Sequence, residues 1–246
     1  MVVLCGHRGA AGEAPENTVT GFNYAKRIGV TDYELDVYLS ADNQLVVMHN
    51  NTVDHTTNGT GPVESFTVAE LRQLDARAAF PDWPEPAWVP TLDEVLEVLN
   101  DCRSCQIEIK ATDPAKYQLI AEKFVEAVTR YNMKDRVYAI SFEAQALEAM
   151  RSIAPEIERL YIGDFNSIEY IETAQRLGCI AAGINQRTSS ADIVKKVQDA
   201  QMIASGWIGD TQEQLDKLLE WGVDWITSNV PSFAMRYLQE HLPVTR

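Results

Sequence analysis

Residues 32–37 read Asp-Tyr-Glu-Leu-Asp-Val, and residues 106–110 read Gln-Ile-Glu-Ile-Lys. Both segments alternate polar and apolar residues. Successive side chains of a β-strand point to opposite faces, so Glu34 and Asp36 share one face and the apolar residues between them share the other. Glu108 is placed in the same way in the second segment. In a closed barrel of parallel strands, these polar faces would converge on the interior near the strand ends, and the apolar faces would meet the covering helices.

The rest of the chain repeats this unit of a strand followed by a helix. Eight β-rich runs alternate with eight helical patterns at a spacing of about thirty residues, which predicts a (β/α)8 barrel in a single domain over residues 1–246. The predicted strands are Val2–Gly6, Asp32–Val37, Gln106–Lys110, Val137–Ser141, Arg159–Ile162, Ile180–Ile184, Met202–Trp207 and Trp225–Ser228. The predicted helices cover residues 18–28, 92–101, 114–132, 143–153, 167–177, 190–200, 212–221 and 232–241.

Local signals mark where several of these helices begin and end. Thr91 opens a capping box, Asn17 is predicted to cap the first helix, and Asp210 is predicted to cap the helix over residues 212–221. Gly178 and Gly222 follow helical patterns at the position where a left-handed residue ends a helix. A doubly wound open sheet is the alternative fold, and the lack of a glycine-rich loop after the first strand weakens it.

Residues 50–90 form a small insertion after the second strand that is too long for an ordinary connection. Thr67 is predicted to begin a short helix within it, and the aromatic-rich stretch over residues 80–88 follows. We expect the insertion to pack over the C-terminal mouth of the barrel, where active sites lie. It is either a wall for part of a substrate or a packing cap that touches no substrate.

Composition and charge exclude several classes of partner. The net charge of −15 disfavours nucleic acid and anionic membranes. No apolar stretch is long enough to span a bilayer, and the first residues leave no room for a signal peptide, so we predict a cytoplasmic protein without a stable membrane anchor. A homo-oligomer is left open. Cys102 and Cys105 have the spacing of half a zinc site, but no second pair of ligands completes it. We expect free thiols at Cys5, Cys102, Cys105 and Cys179.

The polar faces of the two strands bring three carboxylates together. Burial of Glu34, Asp36 and Glu108 as charged groups without a counter-ion would cost free energy. Oxygen ligands favour Mg²⁺ or Ca²⁺ as that counter-ion. The sequence therefore predicts one divalent cation at this position. The alternative is a polar layer of the barrel that Arg8 and Lys110 neutralise without a metal ion.

Two histidines flank these carboxylates. His7 stands at the end of the first strand, and His49 ends the short β-like run Leu45–Met48. Imidazole serves as both acid and base near neutral pH, and the guanidinium of Arg8 suits a phosphate group. This set of residues indicates the hydrolysis of a phosphate ester beside a metal ion.

The chain resembles the glycerophosphodiester phosphodiesterase family. The resemblance rests on motifs that follow the order of the family within residues 7–110. These motifs are His7-Arg8-Gly9, Pro15-Glu16-Asn17-Thr18, Glu34-Leu35-Asp36-Val37, His49, Thr56-Thr57-Asn58-Gly59-Thr60-Gly61, Pro90-Thr91-Leu92 and Glu108-Ile109-Lys110.

The resemblance implies a TIM-like barrel that hydrolyses small glycerophosphodiesters to glycerol 3-phosphate and an alcohol. It implies that His7 and His49 form the acid–base pair and that Arg8 and Lys110 hold the phosphoryl oxygens. It implies the metal ligands Glu34, Asp36 and Glu108. Two alternatives are a hydrolase of lysophospholipids that resembles phospholipase D, and an inactive barrel that binds a glycerophospho-ligand.

Two positions depart from the pattern of the family. The residue after the second histidine is usually aspartate and is Asn50 in this chain. The turn after the eighth strand usually reads Thr-Asp-x-Pro, and here it contains Asn229. Both changes remove a negative charge and keep the shape of the side chain.

Overall fold

The computed structural model describes residues 2–163 and 166–241, and within them eight parallel strands close into a barrel. With one short antiparallel strand, β3, the described residues contain nine strands: β1 Val3–His7, β2 Asp32–Leu39, β3 Leu45–Val47, β4 Ser104–Ile109, β5 Val137–Ser141, β6 Glu158–Gly163, β7 Ala181–Asn185, β8 Ile203–Trp207 and β9 Trp225–Ser228. Strand β1 pairs with both β2 and β9, which closes the ring. The predicted (β/α)8 barrel is confirmed, and the alternative of an open sheet is wrong because of this closure.

Strand β3 lies outside the ring and pairs antiparallel with the far end of β2. Val37 faces Val47, and Leu39 faces Leu45 across this pairing. The short β-like run before His49 is therefore a strand, as the sequence predicts. Its pairing with β2 carries the chain back toward the carboxylates of that strand.

The helices of the described residues follow the predicted pattern, with bounds that differ from it by a few residues. They are α1 Val19–Arg27, α2 Val68–Leu71, α3 Leu92–Val98, α4 Tyr117–Arg130, α5 Ala144–Ile153, α6 Ile168–Arg176, α7 Ala191–Asp199, α8 Gln212–Trp221 and α9 Pro231–His241. Two short 3₁₀ helices cover Val63–Ser65 and Pro114–Lys116. The predicted starts at Thr67 and Thr91 are confirmed, and each carries a full capping box.

Two predicted caps are wrong by one residue. Thr211, not Asp210, caps α8 through a capping box, and Thr18, not Asn17, caps α1 by accepting a hydrogen bond from the backbone of Gly21. In each case a threonine directly before the helix supplies the hydroxyl, and the polar residue before it is free to bind elsewhere. Asp210 and Asn17 both contact residues of the candidate site, as described below.

Apolar residues fill the layer between the strands and the helices. Leu35 and Ile107 point outward from β2 and β4 and are fully buried against the helices. Gly178 and Gly222 end α6 and α8 with positive φ angles of 67° and 73°, as predicted from the sequence. This shell leaves the interior of the barrel to the polar faces of the same strands.

The inserted segment forms a small apolar cluster of its own against β2 and β3. The cluster contains Tyr38, Val46, Met48, Val53, Val63, Leu71 and Val89. Trp83 lies on the outer side of α1, where its indole N–H donates to the hydroxyl of Thr20 at 2.9 Å and its ring packs on Tyr24. The insertion is thus anchored beside the barrel by packing.

Two further predictions have structural outcomes. The four cysteines are free and buried, as expected. Burial raises the pKa of each thiol, to about 11 for Cys102 and to about 12 for Cys179. Among residues 2–163 and 166–241, no helix has the length and apolar character needed to cross a membrane.

Candidate active site

Three carboxylates meet at the C-terminal end of the barrel. Glu34 and Asp36 come from β2, and Glu108 comes from β4, where it pairs in register with Asp36. Oxygen atoms of the three groups lie within 4.8 Å of one another. Their residues are only 4%, 0% and 7% exposed, respectively. The sequence prediction that these side chains come together is correct, because the strand period places them on one face.

Two cationic side chains border this cluster. The Lys110 ammonium lies 3.1 Å from Asp36 and 3.3 Å from Glu108. The Arg8 guanidinium lies 3.5 Å from Asp36 and donates to Glu16 at 3.2 Å, while its backbone N–H donates to Glu34 at 3.1 Å. Arg8 holds a positive φ of 51°, which turns the chain directly after β1. The backbone and the side chain of Arg8 therefore contact the cluster together.

Glu16 belongs to this site, and so does Asn17, which the sequence predicts as a cap of the first helix. Asn17 is buried and donates its side-chain N–H to Asp36 at 2.8 Å. Its φ of 55° is left-handed, a conformation that asparagine tolerates better than most residues. The sequence did contain a signal for this role, because Thr18 directly after Asn17 can cap the helix and leaves the side chain of Asn17 to bind elsewhere.

The carboxylates differ sharply in their electrostatics. Burial raises the pKa of Glu34 well above its ordinary value, and the negative charges of Asp36 and Glu108 add to the effect. Burial, with a contribution from Asp36, raises the pKa of Glu108 to about 8. Burial also acts to raise the pKa of Asp36, but Lys110 and Arg8 outweigh it and hold that pKa below its ordinary value. The two cations therefore compensate mainly one carboxylate.

The charge balance of the site fits a divalent cation. In the described part of the chain, the cluster contains the carboxylates Glu34, Asp36 and Glu108, with Glu16 beside Arg8. If all four were ionised, as ligation of a cation by the cluster requires, they would carry four negative charges against the two positive charges of Arg8 and Lys110. A divalent ion would balance the excess, and an all-oxygen donor set suits Mg²⁺ or Ca²⁺. The buried acidic cluster is compatible with such an ion.

The two histidines are held in the same manner. His7 Nδ1 lies 2.6 Å from Asn229 Oδ1, and His49 Nδ1 lies 2.6 Å from Asn50 Oδ1. His7 Nε2 is 3.6 Å from a carboxylate oxygen of Glu34. Burial, with a further contribution from Arg8, lowers the pKa of His7 to about 3. Burial also lowers the pKa of His49, and the opposing charge of Asp36 does not cancel the effect. Both imidazoles are therefore neutral near pH 7.

A cavity of about 250 Å³ opens beside these residues, and its two halves differ in chemistry. Polar groups from β1, β2, β4 and the chain after β3 form one half, and mainly apolar side chains from β5, β6, β8 and the adjoining loops form the other, with Ser205 and Thr227 also on the lining. The polar half contains His7, Arg8, Glu34, His49, Gln106 and Glu108. The apolar half contains Ile140, Phe142, Leu160, Ile162, Trp207 and Ile208.

The aromatic wall of the cavity does not come from the insertion. Phe80, Trp83 and Trp88 are the aromatic residues of the stretch over residues 80–88, and none of them lines the cavity. Trp83 packs on α1, as described above, and Trp88 faces the same helix. The aromatic residues at the cavity are Phe142 and Trp207, whose rings meet edge to face at 6.0 Å. Of the two alternatives for the insertion, its aromatic part therefore matches the packing cap and does not form a wall of this cavity.

The fold and the cavity define the chain as a (β/α)8-barrel protein with a polar site at the C-terminal end of its strands, where enzymes of this fold have their active sites. The sequence matches the Glycerophosphoryl diester phosphodiesterase family over residues 7–232. The chain belongs to this family.

Individual relatives match along nearly their whole length. A glycerophosphodiester phosphodiesterase of Caldanaerobacter subterraneus subsp. tengcongensis is 32% identical, with 93% of this chain and 94% of the relative covered. One from Bacillus altitudinis is 30% identical, with 98% and 99% covered. Among solved structures, a phosphodiesterase of Oleispira antarctica in complex with the product sn-glycerol-3-phosphate has a TM-score of 0.89 at 26% identity, with 96% of each chain covered.

Proposed function

We propose that this protein hydrolyses glycerophosphodiesters to glycerol 3-phosphate and an alcohol, with one bound Mg²⁺ or Ca²⁺ ion, and that residues 1–246 act as one catalytic domain. The observation that carries the proposal is the convergence of three carboxylates, two cations and two histidines on one cavity. Membership of the family supports the class of substrate.

Glu34, Asp36 and Glu108 would hold the ion, since they supply oxygen ligands from two adjacent strands. When bound, the ion would neutralise negative charge on the phosphoryl oxygens. Arg8 and Lys110 border the same cluster and would donate hydrogen bonds to these oxygens. The negative charge of the substrate is thus received locally, although the protein as a whole carries a net charge of −15.

His7 and His49 would carry the protons. Both imidazoles are neutral in the free site, so either one has a lone pair that can accept a proton from the attacking oxygen. That oxygen belongs either to water or to the neighbouring hydroxyl of the glycerol group. The second histidine must hold a proton to give to the leaving oxygen. An anionic substrate favours this protonated form because opposite charges attract.

A hydrolase of lysophospholipids is a second candidate, and one specific observation favours it. Half of the cavity is apolar, and Phe142 at its edge is 44% exposed. Ile168 begins α6 after the neighbouring strand β6 and is 50% exposed. An apolar lining that reaches the surface suits an acyl chain better than it suits choline or glycerol. A third candidate, an inactive barrel, would bind a glycerophospho-ligand without turnover.

The location and the partners complete the proposal. We assign the protein to the cytoplasm, with small glycerophosphodiesters as substrates, no nucleic acid and no stable membrane anchor. The net charge of −15 supports the exclusion of nucleic acid, since it repels a polyanion. A homo-oligomer remains compatible with this function.

Product identity tests the proposal. Glycerophosphocholine and lysophosphatidylcholine are incubated separately with the protein and Mg²⁺, and the phosphorus products are identified by ³¹P NMR. The proposal expects glycerol 3-phosphate and choline from the first substrate, with little turnover of the second. Faster turnover of lysophosphatidylcholine would favour the second candidate, and no product from either substrate would favour the inactive barrel.

A further inference from the structure

Asp210 lies directly behind one of the two histidines and contacts the asparagine that holds it. One carboxylate oxygen of Asp210 accepts hydrogen bonds from the backbone N–H of Asn229 at 2.7 Å and from the hydroxyl of Ser228 at 3.1 Å. Its other oxygen accepts from the side-chain N–H of Asn229 at 2.7 Å. The loop after β8 and the loop after β9 are thus joined by three hydrogen bonds to one carboxylate.

This arrangement fixes which way the amide of Asn229 points. A carboxylate accepts hydrogen bonds and cannot donate them, so the –NH₂ group of Asn229 must face Asp210. The amide oxygen of Asn229 must then face His7, where it lies 2.6 Å from Nδ1. An amide oxygen only accepts, so Nδ1 of His7 must carry the proton. The lone pair of the neutral imidazole is consequently on Nε2, the nitrogen 3.6 Å from Glu34.

The other histidine lacks this second support. His49 Nδ1 meets Asn50 Oδ1 at 2.6 Å. Among the residues that the structure describes, none accepts a hydrogen bond from the side-chain –NH₂ of Asn50. Its amide can turn over, and Nδ1 of His49 can then accept instead of donate. Each histidine therefore has a neutral asparagine as its partner, but only the asparagine beside His7 is held in one orientation by a further hydrogen bond.

We propose that Asp210 is a positioning residue that acts through Asn229 to hold His7 with the proton on Nδ1 and the lone pair on Nε2. The inference rests on the proposed role of His7 in proton transfer. It assigns the proton-accepting step to His7 and leaves the proton-donating step to the less constrained His49. A catalytic histidine in the wrong tautomer lowers the rate by about 10⁴-fold in serine proteases, so the orientation of a neutral partner has large consequences.

A reciprocal exchange of the two side chains tests the proposal. In Asp210→Asn, the oxygen of the new amide keeps the backbone contact, and its –NH₂ turns toward Asn229. The amide of Asn229 must then reverse and present its own –NH₂ to His7, which forces the imidazole proton onto Nε2. In Asn229→Asp, two carboxylates face each other at a hydrogen-bond distance. The double variant D210N/N229D restores a matched pair, because the carboxylate at position 229 would accept from both the amide at position 210 and His7.

We expect kcat to fall by about 10²-fold or more in Asp210→Asn, with KM changed by less than about threefold, and to recover to within about tenfold in the double variant. Nitrogen chemical shifts of the histidine side chains report the tautomer without any turnover. They should show Nδ1–H at His7 in the unmodified protein, Nε2–H in Asp210→Asn, and Nδ1–H again in the double variant. Glu213→Gln, which removes a neighbouring exposed acid in the first turn of α8, is the matched control and should change neither readout.

The two readouts separate this proposal from the function on which it rests. A protein that shows no turnover of glycerophosphocholine fails the proposed function, and the tautomer of His7 is still measured. An Nε2–H tautomer in the unmodified protein overturns the role of Asp210, whatever the variants do. A double variant whose kcat is no higher than that of Asp210→Asn also overturns it, because a purely structural role predicts additive losses.

Discussion

Neutralising two carboxylates that stand two residues apart on β2 is expected to move the stability of the metal-free protein in opposite directions. Glu34 has a raised pKa because burial and the nearby charges of Asp36 and Glu108 disfavour its ionised form. At the limiting separation of 4.8 Å, two carboxylates repel by about 3.5 kcal/mol at an effective dielectric constant of about 20. Partial protonation reduces this figure, so Glu34→Gln should stabilise the metal-free protein by about 1–3 kcal/mol.

Asp36→Asn should have the opposite sign. Asp36 is fully buried and contacts Lys110 at 3.1 Å and Arg8 at 3.5 Å. Removal of its charge leaves both cations without their main counter-ion, and a broken buried pair costs about 3–5 kcal/mol. A chain of this size changes its Tm by about 2–4 °C for each kcal/mol. We therefore expect a rise of about 2–12 °C for Glu34→Gln and a fall of about 6–20 °C for Asp36→Asn.

Differential scanning calorimetry at mildly alkaline pH with excess chelator measures both shifts, and a second scan with Mg²⁺ or Ca²⁺ measures ion binding. Saturation at 100 times Kd adds about 2.7 kcal/mol to the unmodified protein, and Glu34→Gln should lose most of that gain. Asp32→Asn is the control, because Asp32 is buried on the same strand but pairs with Arg103 and Ser104 away from the cluster. It should lower Tm and keep the full ion-induced gain. A Glu34→Gln protein that is destabilised without the ion, or that keeps its full gain with the ion, would refute the reasoning.

Three further expectations concern protons and selectivity. His7→Ala and His49→Ala should each lower kcat by about 10²-fold or more, and the unmodified enzyme should show a two-limbed pH–rate profile; normal turnover in His49→Ala would assign that residue to structure. The pKa of Glu108 is raised to about 8, so the stability that its protonated form contributes is present below its unfolded pKa of about 4.5 and is lost as pH rises through about 8. A cation binds the ionised form, so the ion-induced gain in Tm should be larger near pH 8 than near pH 5. Equal gains at the two pH values would contradict this expectation. No carboxylate among the described residues lines the apolar half of the cavity around Phe142. Specificity constants for substrates with choline, ethanolamine and glycerol head groups should therefore agree within about tenfold, or about 1.4 kcal/mol. A preference of several hundredfold for one head group would reveal a dedicated pocket.

The fold could be predicted because its signals are local and repeat along the chain. Alternation around Glu34 and Asp36 marks a strand with one polar face, and helical patterns recur between such strands. The closure of the ring through the pairing of β1 with β2 follows from eight such units in one sheet. The carboxylate cluster could be predicted for the same reason, since the strand period fixes which side chains point inward.

The supporting residues of the site could not be predicted, because their partners are distant in sequence. Asn229 holds His7 across 222 positions of the chain, and no local pattern reports that contact. Asp210 and Asn17 both precede a capping threonine, and a displacement of one residue decides whether such a side chain caps a helix or binds elsewhere. The position of the aromatic residues of the insertion could not be predicted for a different reason. Their presence indicated that residues 80–88 cover an apolar surface, but it did not identify that surface as α1.

The most direct test of the proposed function is the initial rate of glycerol 3-phosphate release from glycerophosphocholine by protein that has been dialysed exhaustively against chelator. The carboxylate cluster of Glu34, Asp36 and Glu108 predicts almost no release by this protein. Addition of Mg²⁺ or Ca²⁺ should restore the rate, and neither ion should restore it in Glu34→Gln. Full activity in excess chelator would contradict the proposal that this site works through a bound divalent cation.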